Sequence, residues 1–215
     1  DPVEYQLPGI NQVAVSEAVG LTFASALRSI LRQDPDIVMI GEIRDLETAD
    51  IAVKASLTGH LVLSTIHTTT ATGAIARFVN MGIEPFLVAS SCLVTCAQSL
   101  VRKLCPHCKE SAPPPSGLEF DLKANNISFG GGYDYFKAVG CRQCGGSGYS
   151  GRFGVTEIME LDGDIRDAII KRETEVRLRA LAIEKGMQPL RAQALERVLA
   201  GETTYEEVMR STTAS

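Results

Sequence analysis

The segment DPDIVMIGEIRD at residues 34–45 contains the strongest indication of the fold. Ile37–Ile40 is a continuous apolar run, which is typical of a strand buried on both faces of a parallel sheet. Glu42 follows this strand almost directly. Because ligands of open α/β sheets bind beyond the carboxyl ends of the strands, Glu42 is a candidate site residue. On composition alone, a solvated loop charge explains Glu42 equally well.

A second apolar run, at residues 61–63, ends in the hydroxyl-rich segment STIHTTT of residues 64–70. His60 precedes this run and His67 follows it, so an ideal strand would place the two rings on opposite faces. A lone histidine at a strand end is usually a satisfied surface residue. Beside a neighbouring strand that delivers Glu42, the histidine becomes a candidate active-site group.

Helical patterns alternate with the two apolar runs. Thr22 and Asp45 are the predicted N-caps of helices before and after the first strand, and a further helix is predicted at residues 71–80. Strands that alternate with helices of this length predict a parallel α/β sheet. The C-terminal part of the chain is helical in pattern, and Thr204 with Glu207 predicts a capping box for the last helix.

Two C-x-x-C pairs, CPHC at residues 105–108 and CRQC at residues 141–144, are separated by 32 residues. Each turn can aim two sulfurs at one point, and Zn²⁺ takes four such ligands in a tetrahedron. Nearby glycines can turn backbone amides toward the sulfurs. The alternative is a set of reduced free cysteines. The predicted zinc ligands are Cys105, Cys108, Cys141 and Cys144.

The two remaining cysteines, Cys92 and Cys96, are one helical turn apart. Buried packing is the better explanation of this pair, because free cysteine is commonly a core residue. We therefore expect both to be buried by packing.

Composition and charge exclude some classes of protein. The formal net charge of −5 argues against an electrostatic nucleic-acid binder, so no specific nucleic acid is expected as a partner. No apolar run approaches the roughly 20 residues that span a bilayer, and no signal peptide is visible. The paired cysteines without a secretion signal indicate a reducing compartment, the cytoplasm. Because residue 1 is not Met, we expect the chain to be a fragment of a longer protein.

Taken together, these motifs resemble the secretion and pilus motor ATPases of type II secretion and type IV pilus assembly (extension). Residues 34–50 resemble the Walker B segment of that family, and the match implies that Glu42 is the catalytic carboxylate that positions or activates water. Residues 58–67 resemble its histidine box, which implies catalytic roles for His60 and His67, with His67 near the γ-phosphate. The paired cysteines match the zinc-binding insertion of the assembly-type branch.

Four further residues acquire candidate roles from the same resemblance. The opening residues 1–4 resemble the end of the family's aspartate box, so Asp1 and Glu4 would help to hold Mg²⁺ or water. Arg28 and Arg32 lie in the segment that precedes Walker B and are candidate contacts to phosphate or to a neighbouring subunit. The implied cofactors are ATP and Mg²⁺, in addition to Zn²⁺.

The phosphate-binding loop of such ATPases, G-x-x-x-x-G-K-[ST], does not occur in residues 1–215. In the family this loop lies before the aspartate box. Its amides and lysine hold the phosphates. We therefore expect this chain alone to bind ATP weakly and to hydrolyse it negligibly.

The resemblance also implies an architecture and partners. The fold would be the C-terminal part of a RecA-like P-loop ATPase core at residues 1–102, a tetracysteine zinc module at 103–150 and a C-terminal helical domain at 151–215. Subunits would form a hexamer on the cytoplasmic face of the inner membrane. There the ring would act on a membrane platform protein and drive pilin or pseudopilin assembly.

A different class of function also fits part of the chain. Residues 141–148 match C-x-x-C-x-G-x-G, the repeating unit of Hsp40-like zinc modules, and a zinc-ribbon-like nucleic-acid module is also conceivable. Such a module would act in protein or nucleic-acid interaction. Only one such unit is present, however, and aromatic residues for base stacking are sparse. Neither alternative explains the two apolar strands.

Overall fold

The computed structural model of the chain describes residues 3–129 and 134–212. Asp1, the predicted Mg²⁺ or water ligand, lies outside the described residues. The chain forms two compact units. The first comprises Asp1–Thr68, Thr72–Thr95 and Glu160–Ala180, and the second comprises Thr69–Ala71, Cys96–Met159 and Leu181–Ser215. The division at residues 1–102, 103–150 and 151–215 stays a prediction.

The chain contains six strands and nine α-helices within the described residues. The strands are β1 (Ile37–Ile40), β2 (Leu61–Ser64), β3 (Val94–Leu104), β4 (Glu110–Ser111), β5 (Phe136–Lys137) and β6 (Tyr149–Glu160). The helices are α1 (Phe23–Leu31), α2 (Leu46–Leu57), α3 (Ala71–Met81), α4 (Pro85–Ser91), α5 (Leu118–Ala124), α6 (Gly163–Ile170), α7 (Glu175–Glu184), α8 (Leu190–Leu199) and α9 (Tyr205–Ser211).

A parallel strand pair forms the centre of the first unit. β1 pairs with β2 in a register that runs from Ile37 opposite Leu61 to Ile40 opposite Ser64. Helix α2 packs against β2, against α1 and against α4, and α4 packs against α6. The predicted parallel strands are therefore confirmed, and their carboxyl ends meet at one edge.

The strand pair differs from the prediction in its burial. Val38 and Ile40 are buried, as expected, but Ile37 and Met39 are 62% and 73% exposed. The prediction of burial on both faces is therefore wrong for β1. Side chains of a strand alternate between two faces, and the described residues cover one face of this pair.

The predicted helix caps are largely confirmed. The Thr22 hydroxyl accepts from the backbone amide of Ser25 at 3.2 Å, and the Asp45 carboxylate accepts from the amide of Thr48 at 2.8 Å. These bonds satisfy amides that have no partner inside their helices. Asp45 thus begins α2 immediately after the edge that carries Glu42.

The last helix, α9, departs from the predicted capping box. Thr204 accepts from the amide of Glu207 at 3.2 Å, but the Glu207 carboxylate is fully buried and binds the guanidinium groups of Arg102 and Arg210. Two arginines offer a buried carboxylate stronger, charge-assisted bonds than one backbone amide does. The bond from the Glu207 amide to the Thr204 hydroxyl therefore forms, whereas the Glu207 carboxylate binds two arginines and does not complete the capping box.

A two-stranded sheet of β3 and β6 was not predicted. Its presence corrects the interpretation of Cys92 and Cys96. α4 ends at Ser91, so Cys92 is its C-cap and is only partly buried, whereas Cys96 lies on β3 and is exposed. The four-residue spacing of the two cysteines resembled a helical turn but spans the end of a helix and the start of a strand.

Arg166 on α6 completes the C-terminal end of α4. Its guanidinium donates to the carbonyl oxygens of Ala89 and Cys92 at that helix end, and to the carbonyl of Leu161 at 2.7 Å. A cation is favourable at a helix C-terminus, where carbonyl groups lack intrahelical partners.

We expect Arg166→Met to lower the free energy of unfolding by about 2–3 kcal/mol, since several carbonyls lose charge-assisted bonds. Urea-induced unfolding followed by circular dichroism measures this change. Arg172→Met is the matched control, because Arg172 makes an exposed ion pair with Glu84 at 3.2 Å that should contribute less than about 1 kcal/mol. Equal losses in the two variants would contradict the assignment.

Candidate active-site edge and metal centre

The two chain segments that follow β1 and β2 stay side by side beyond the strands. The amide of Ile43 donates to the carbonyl of Thr65 at 3.0 Å, and the Thr65 hydroxyl donates to the carbonyl of Gly41 at 2.6 Å. These bonds hold Glu42 and His67 at the same edge of the sheet. The predicted juxtaposition of the two residues is confirmed, whereas their catalytic roles stay predictions.

The Glu42 carboxylate has a different partner at each oxygen. Its Oε2 lies 2.9 Å from Nε2 of His67, and its Oε1 forms an ion pair with the guanidinium of Arg44. The Glu42 side chain is only 9% exposed, but those of Arg44 and His67 are 57% and 83% exposed. A nearly buried carboxylate therefore lies beneath two groups that reach into solvent.

Electrostatics favour the ionised form of Glu42. The hydrogen bond from Arg44 lowers the pKa of Glu42 below its ordinary value, and His67 adds to this effect, whereas burial alone would raise it. An ionised carboxylate accepts hydrogen bonds only, so the His67 contact requires a proton on Nε2. Such a carboxylate can orient a water molecule or receive a proton from it.

Arg44 was not among the predicted site residues. A signal for it was present in the sequence, because residues two apart in an extended segment project to the same side. Arg44 stands two residues after Glu42 in a stretch without helical structure. This spacing alone therefore predicts that the Arg44 side chain lies beside the Glu42 carboxylate.

Of the other predicted site residues that the structure describes, none has a contact with Glu42 or His67. His60 lies at the opposite end of β2, where its Nδ1 is 3.1 Å from the carbonyl of Ala55 and 3.2 Å from the hydroxyl of Thr58. These contacts fasten the turn between α2 and β2. Glu4 is exposed, in a segment without regular structure.

The two candidate arginines of the first unit have partners of their own. Arg28 on α1 forms an ion pair with Glu47 of α2 at 2.6 Å. Arg32 is the C-cap residue of α1, and its guanidinium donates to the hydroxyl of Ser29 at 3.2 Å. Both contacts are exposed, so a phosphate or a neighbouring subunit could compete for either guanidinium. The predicted roles of both arginines stay predictions.

In the second unit, four sulfur atoms form a compact cluster whose ligand atoms all lie within 4.8 Å of one another. Three sulfur pairs are 3.7–3.9 Å apart. A tetrahedral zinc with bonds of about 2.3 Å requires sulfurs about 3.8 Å apart. The cluster therefore has the dimensions of a four-thiolate zinc site. Its members are the predicted ligands, Cys105, Cys108, Cys141 and Cys144.

Backbone amides surround the sulfurs, as the glycine pattern predicted. Sγ of Cys144 accepts from the amides of Cys141 at 3.1 Å and Gly148 at 3.2 Å, and the first of these bonds is the main cause that lowers the pKa of Cys144 to about 6. Burial raises the pKa of Cys108 to about 12. A divalent cation at the centre would offset the mutual repulsion of four thiolates and stabilise all of them in the charged form.

Gly140 shows how closely the chain segments on either side of the second knuckle, Cys141–Cys144, approach each other. Its φ of +112° is unfavourable for any residue with a side chain, and a Cβ atom there would lie 2.4 Å from the carbonyl oxygen of Gly146. A side chain at this position would separate the backbone segments that aim the sulfurs.

Comparison with solved structures defines the class of fold. The pilus retraction motor PilT with bound ADP matches with a TM-score of 0.60 and 26% identity, over 89% of this chain and 44% of that chain. The DotB ATPase of Yersinia pseudotuberculosis matches with a TM-score of 0.64 and 20% identity, over 97% of this chain and 46% of that chain. The fold is therefore the α/β fold of a RecA-like ATPase, as predicted, and it corresponds to less than half of each of those chains.

The family follows from sequence. The family described as Type II/IV secretion system protein matches residues 1–210, and the chain belongs to this family. The type IV pilus assembly ATPase PilB of Thermus thermophilus is 48% identical over 214 residues, 99% of this chain and 24% of the relative. The type II secretion system protein HxcR of Pseudomonas aeruginosa is 50% identical over 212 residues, 99% of this chain and 41% of the relative. The chain thus spans less than half the length of these curated relatives.

Within residues 3–129 and 134–212, no helix combines the length and the apolar character that a membrane crossing requires.

Proposed function

We propose that this chain supplies the water-activating edge of an ATPase that powers type II secretion or type IV pilus assembly. The observation that carries the proposal is the contact between Glu42 and His67 at the carboxyl ends of two parallel strands. Ligands of open α/β sheets bind at this edge, and phosphoryl transfer to water uses a side chain there that orients the water, a role that the Glu42 carboxylate can fill. The relatives named as secretion and pilus proteins give the physiological setting.

In the proposed reaction, Glu42 orients the attacking water in line with the γ-phosphate of ATP. Its lowered pKa keeps it ionised at neutral pH, so it accepts a hydrogen bond from the water and orients it. His67, which is largely exposed, can turn from Glu42 toward the phosphate and donate a hydrogen bond to it. Bound Mg²⁺ would neutralise charge on the phosphates. Roles of His60, Glu4, Arg28 and Arg32 remain further predictions.

The phosphates themselves would be held by a loop outside the present 215 residues. No G-x-x-x-x-G-K-[ST] motif occurs within them, so we propose that the active enzyme is a longer polypeptide that supplies it. On this proposal the present chain alone hydrolyses ATP negligibly. The active protein is a homo-hexamer on the cytoplasmic face of the inner membrane, where it acts on a platform protein.

The tetracysteine cluster is proposed to bind one Zn²⁺ as a structural ion. All four positions of a tetrahedron would be filled by sulfur, and a catalytic zinc instead keeps one position open for water or substrate. The metal would supply folding free energy and would take no part in hydrolysis.

The proposed ATPase is tested with Glu42→Gln in the longer polypeptide that carries the phosphate-binding loop. Because the amide keeps the shape but lacks the charge, we expect steady-state ATPase activity to fall at least about 100-fold. Binding of a fluorescent ATP analogue should change little.

Glu184→Gln is the matched control, since Glu184 is an exposed residue at the end of α7, and its activity should equal that of the unaltered protein. Turnover within twofold of normal in the Glu42→Gln variant would remove the basis of the proposal.

A further inference from the structure

The two oxygens of the Glu42 carboxylate have partners from different segments of the chain. Oε2 contacts His67, a side chain that is 83% exposed and comes from the segment after β2. Oε1 is paired with Arg44, which belongs to the same extended segment as Glu42. The partner of Oε1 therefore moves with Glu42, whereas the partner of Oε2 belongs to a different segment of the chain.

We propose that Arg44 is a positioning residue for hydrolysis: its ion pair with Oε1 fixes the plane of the Glu42 carboxylate and presents Oε2 to the attacking water. This inference rests on the proposed ATPase function and assigns a role to a residue that need not touch the nucleotide. Among the described residues, two titratable or charged side chains lie against Glu42, those of Arg44 and His67.

The geometry gives Arg44 this role for three reasons. A guanidinium offers donors in a rigid fork, so it restricts rotation of a carboxylate more than a lysine ammonium would. The carboxylate is nearly buried, and water therefore competes poorly for Oε1. The spacing of two residues in an extended segment directs both side chains to one side, so the pair forms without a change of backbone.

An orienting contact matters because the rate depends on alignment. A carboxylate that rotates freely presents the water correctly for only part of the time, and displacement by about 1 Å can reduce a rate about 100-fold. Removing Arg44 should therefore lower kcat while nucleotide binding, which depends on other contacts, stays nearly constant. A direct phosphate contact would instead change KM.

A second consequence concerns pH. Arg44 is the main cause of the lowered pKa of Glu42, so loss of its charge raises that pKa and leaves the opposing effect of burial. Because Glu42 acts in its ionised form, the acid limb of the kcat profile should move to higher pH. A purely structural role of Arg44 would not move this limb.

The experiment compares Arg44→Gln and Arg44→Lys in the longer polypeptide, with Glu42→Gln and Arg152→Gln assayed in parallel. We expect Arg44→Gln to lower kcat by about 10- to 100-fold, with KM for ATP changed less than threefold. The acid limb should shift upward in this variant. Arg44→Lys should restore part of kcat and most of the acid limb, since it keeps the charge but loses the fork. Arg152, exposed on β6, is the arginine control.

The possible outcomes separate the role of Arg44 from the proposed ATPase function. If Glu42→Gln is inactive but Arg44→Gln keeps kcat within twofold and the same acid limb, the role of Arg44 is wrong and the proposed function stands. A raised KM at constant kcat also overturns it, in favour of a phosphate contact. If Glu42→Gln remains active, the proposed function itself fails. If Arg44→Gln does not fold, kcat of Arg44→Lys is compared with that of the unaltered protein. An unchanged kcat in Arg44→Lys overturns the inference.

Discussion

Cys141→Ser is expected to release the bound metal and to unfold the segment around the tetracysteine cluster. Structural zinc contributes on the order of 10 kcal/mol to the folding of small domains. The described part of this segment has little regular secondary structure, because β4 and β5 have two residues each and α5 has seven. Its described core is small, comprising the buried side chains of Leu118, Leu122 and Tyr135.

Metal analysis of the purified chain should give about one zinc per molecule, and the Cys141→Ser variant should give close to none. Hydrogen exchange of residues 105–148 should accelerate strongly in this variant or after treatment with a chelator. Cys96→Ser is the matched control, because Cys96 is an exposed cysteine on β3 outside the cluster. It should retain its zinc. A zinc-free wild-type chain with slow exchange in this segment would refute the metal site.

The effect of metal loss should extend to the last helix. The Tyr135 hydroxyl bonds Glu206 at 2.8 Å, the Tyr205 hydroxyl bonds Asp121 at 2.8 Å, and Lys109 donates to the carbonyl of Gly201 at 2.9 Å. The first two contacts connect the cysteine-bearing segment with α9, and the third connects it with the turn between α8 and α9. Hydrogen exchange of α9 should therefore also accelerate when the metal is removed.

Glu207→Ala is expected to destabilise the second unit by about 3–5 kcal/mol. The buried Glu207 carboxylate accepts from the backbone amide and guanidinium of Arg102, and from the guanidinium of Arg210, at 2.6–3.1 Å. Removal of the carboxylate leaves the Arg102 side chain, which is 40% exposed, without its counterion. Urea-induced unfolding measures the loss. Glu196→Ala on the exposed side of α8 is the control and should change stability by less than about 0.5 kcal/mol.

The same carboxylate predicts a dependence of stability on pH. Burial alone would raise the pKa of Glu207, but the hydrogen bonds from Arg210 and Arg102 outweigh it and lower the pKa to about 2. The stabilisation, about 3 kcal/mol when converted from this shift, is complete above the unfolded-state pKa of about 4.3. It is lost as the pH falls from there through about 2. In Glu207→Ala this loss of folding stability between about pH 4.3 and about pH 2 should be absent. If stability fell over this range as steeply as in the unaltered protein, the prediction would be contradicted.

The part of the fold that local sequence determines was predicted well. The apolar runs gave β1 and β2, and the caps Thr22 and Asp45 placed α1 and α2, because these signals act over a few residues. The spacing of the four cysteines predicted their convergence for the same reason. The meeting of Glu42 and His67 followed from one further assumption, that the two strands are parallel neighbours.

The parts that failed depend on contacts between distant residues. β3 and β6 pair although 44 residues, 105–148, separate them, and both mix polar and apolar side chains, so no local period identified them. Glu207 had the right spacing for a capping box, but Arg102, more than 100 residues earlier, competes for its carboxylate. Arg44 was not predicted, although its position two residues after Glu42 in an extended segment is a local signal.

The apolar face of the β1–β2 pair that the described residues leave exposed has a thermal consequence. Ile37, Met39, Leu61 and Leu63 lie on this face with 44–73% of their surface exposed. Any surface that covers them gains chiefly from the release of water, a driving force that weakens on cooling. Assemblies joined through this face should therefore be cold-labile, and purification near 0 °C would favour their dissociation.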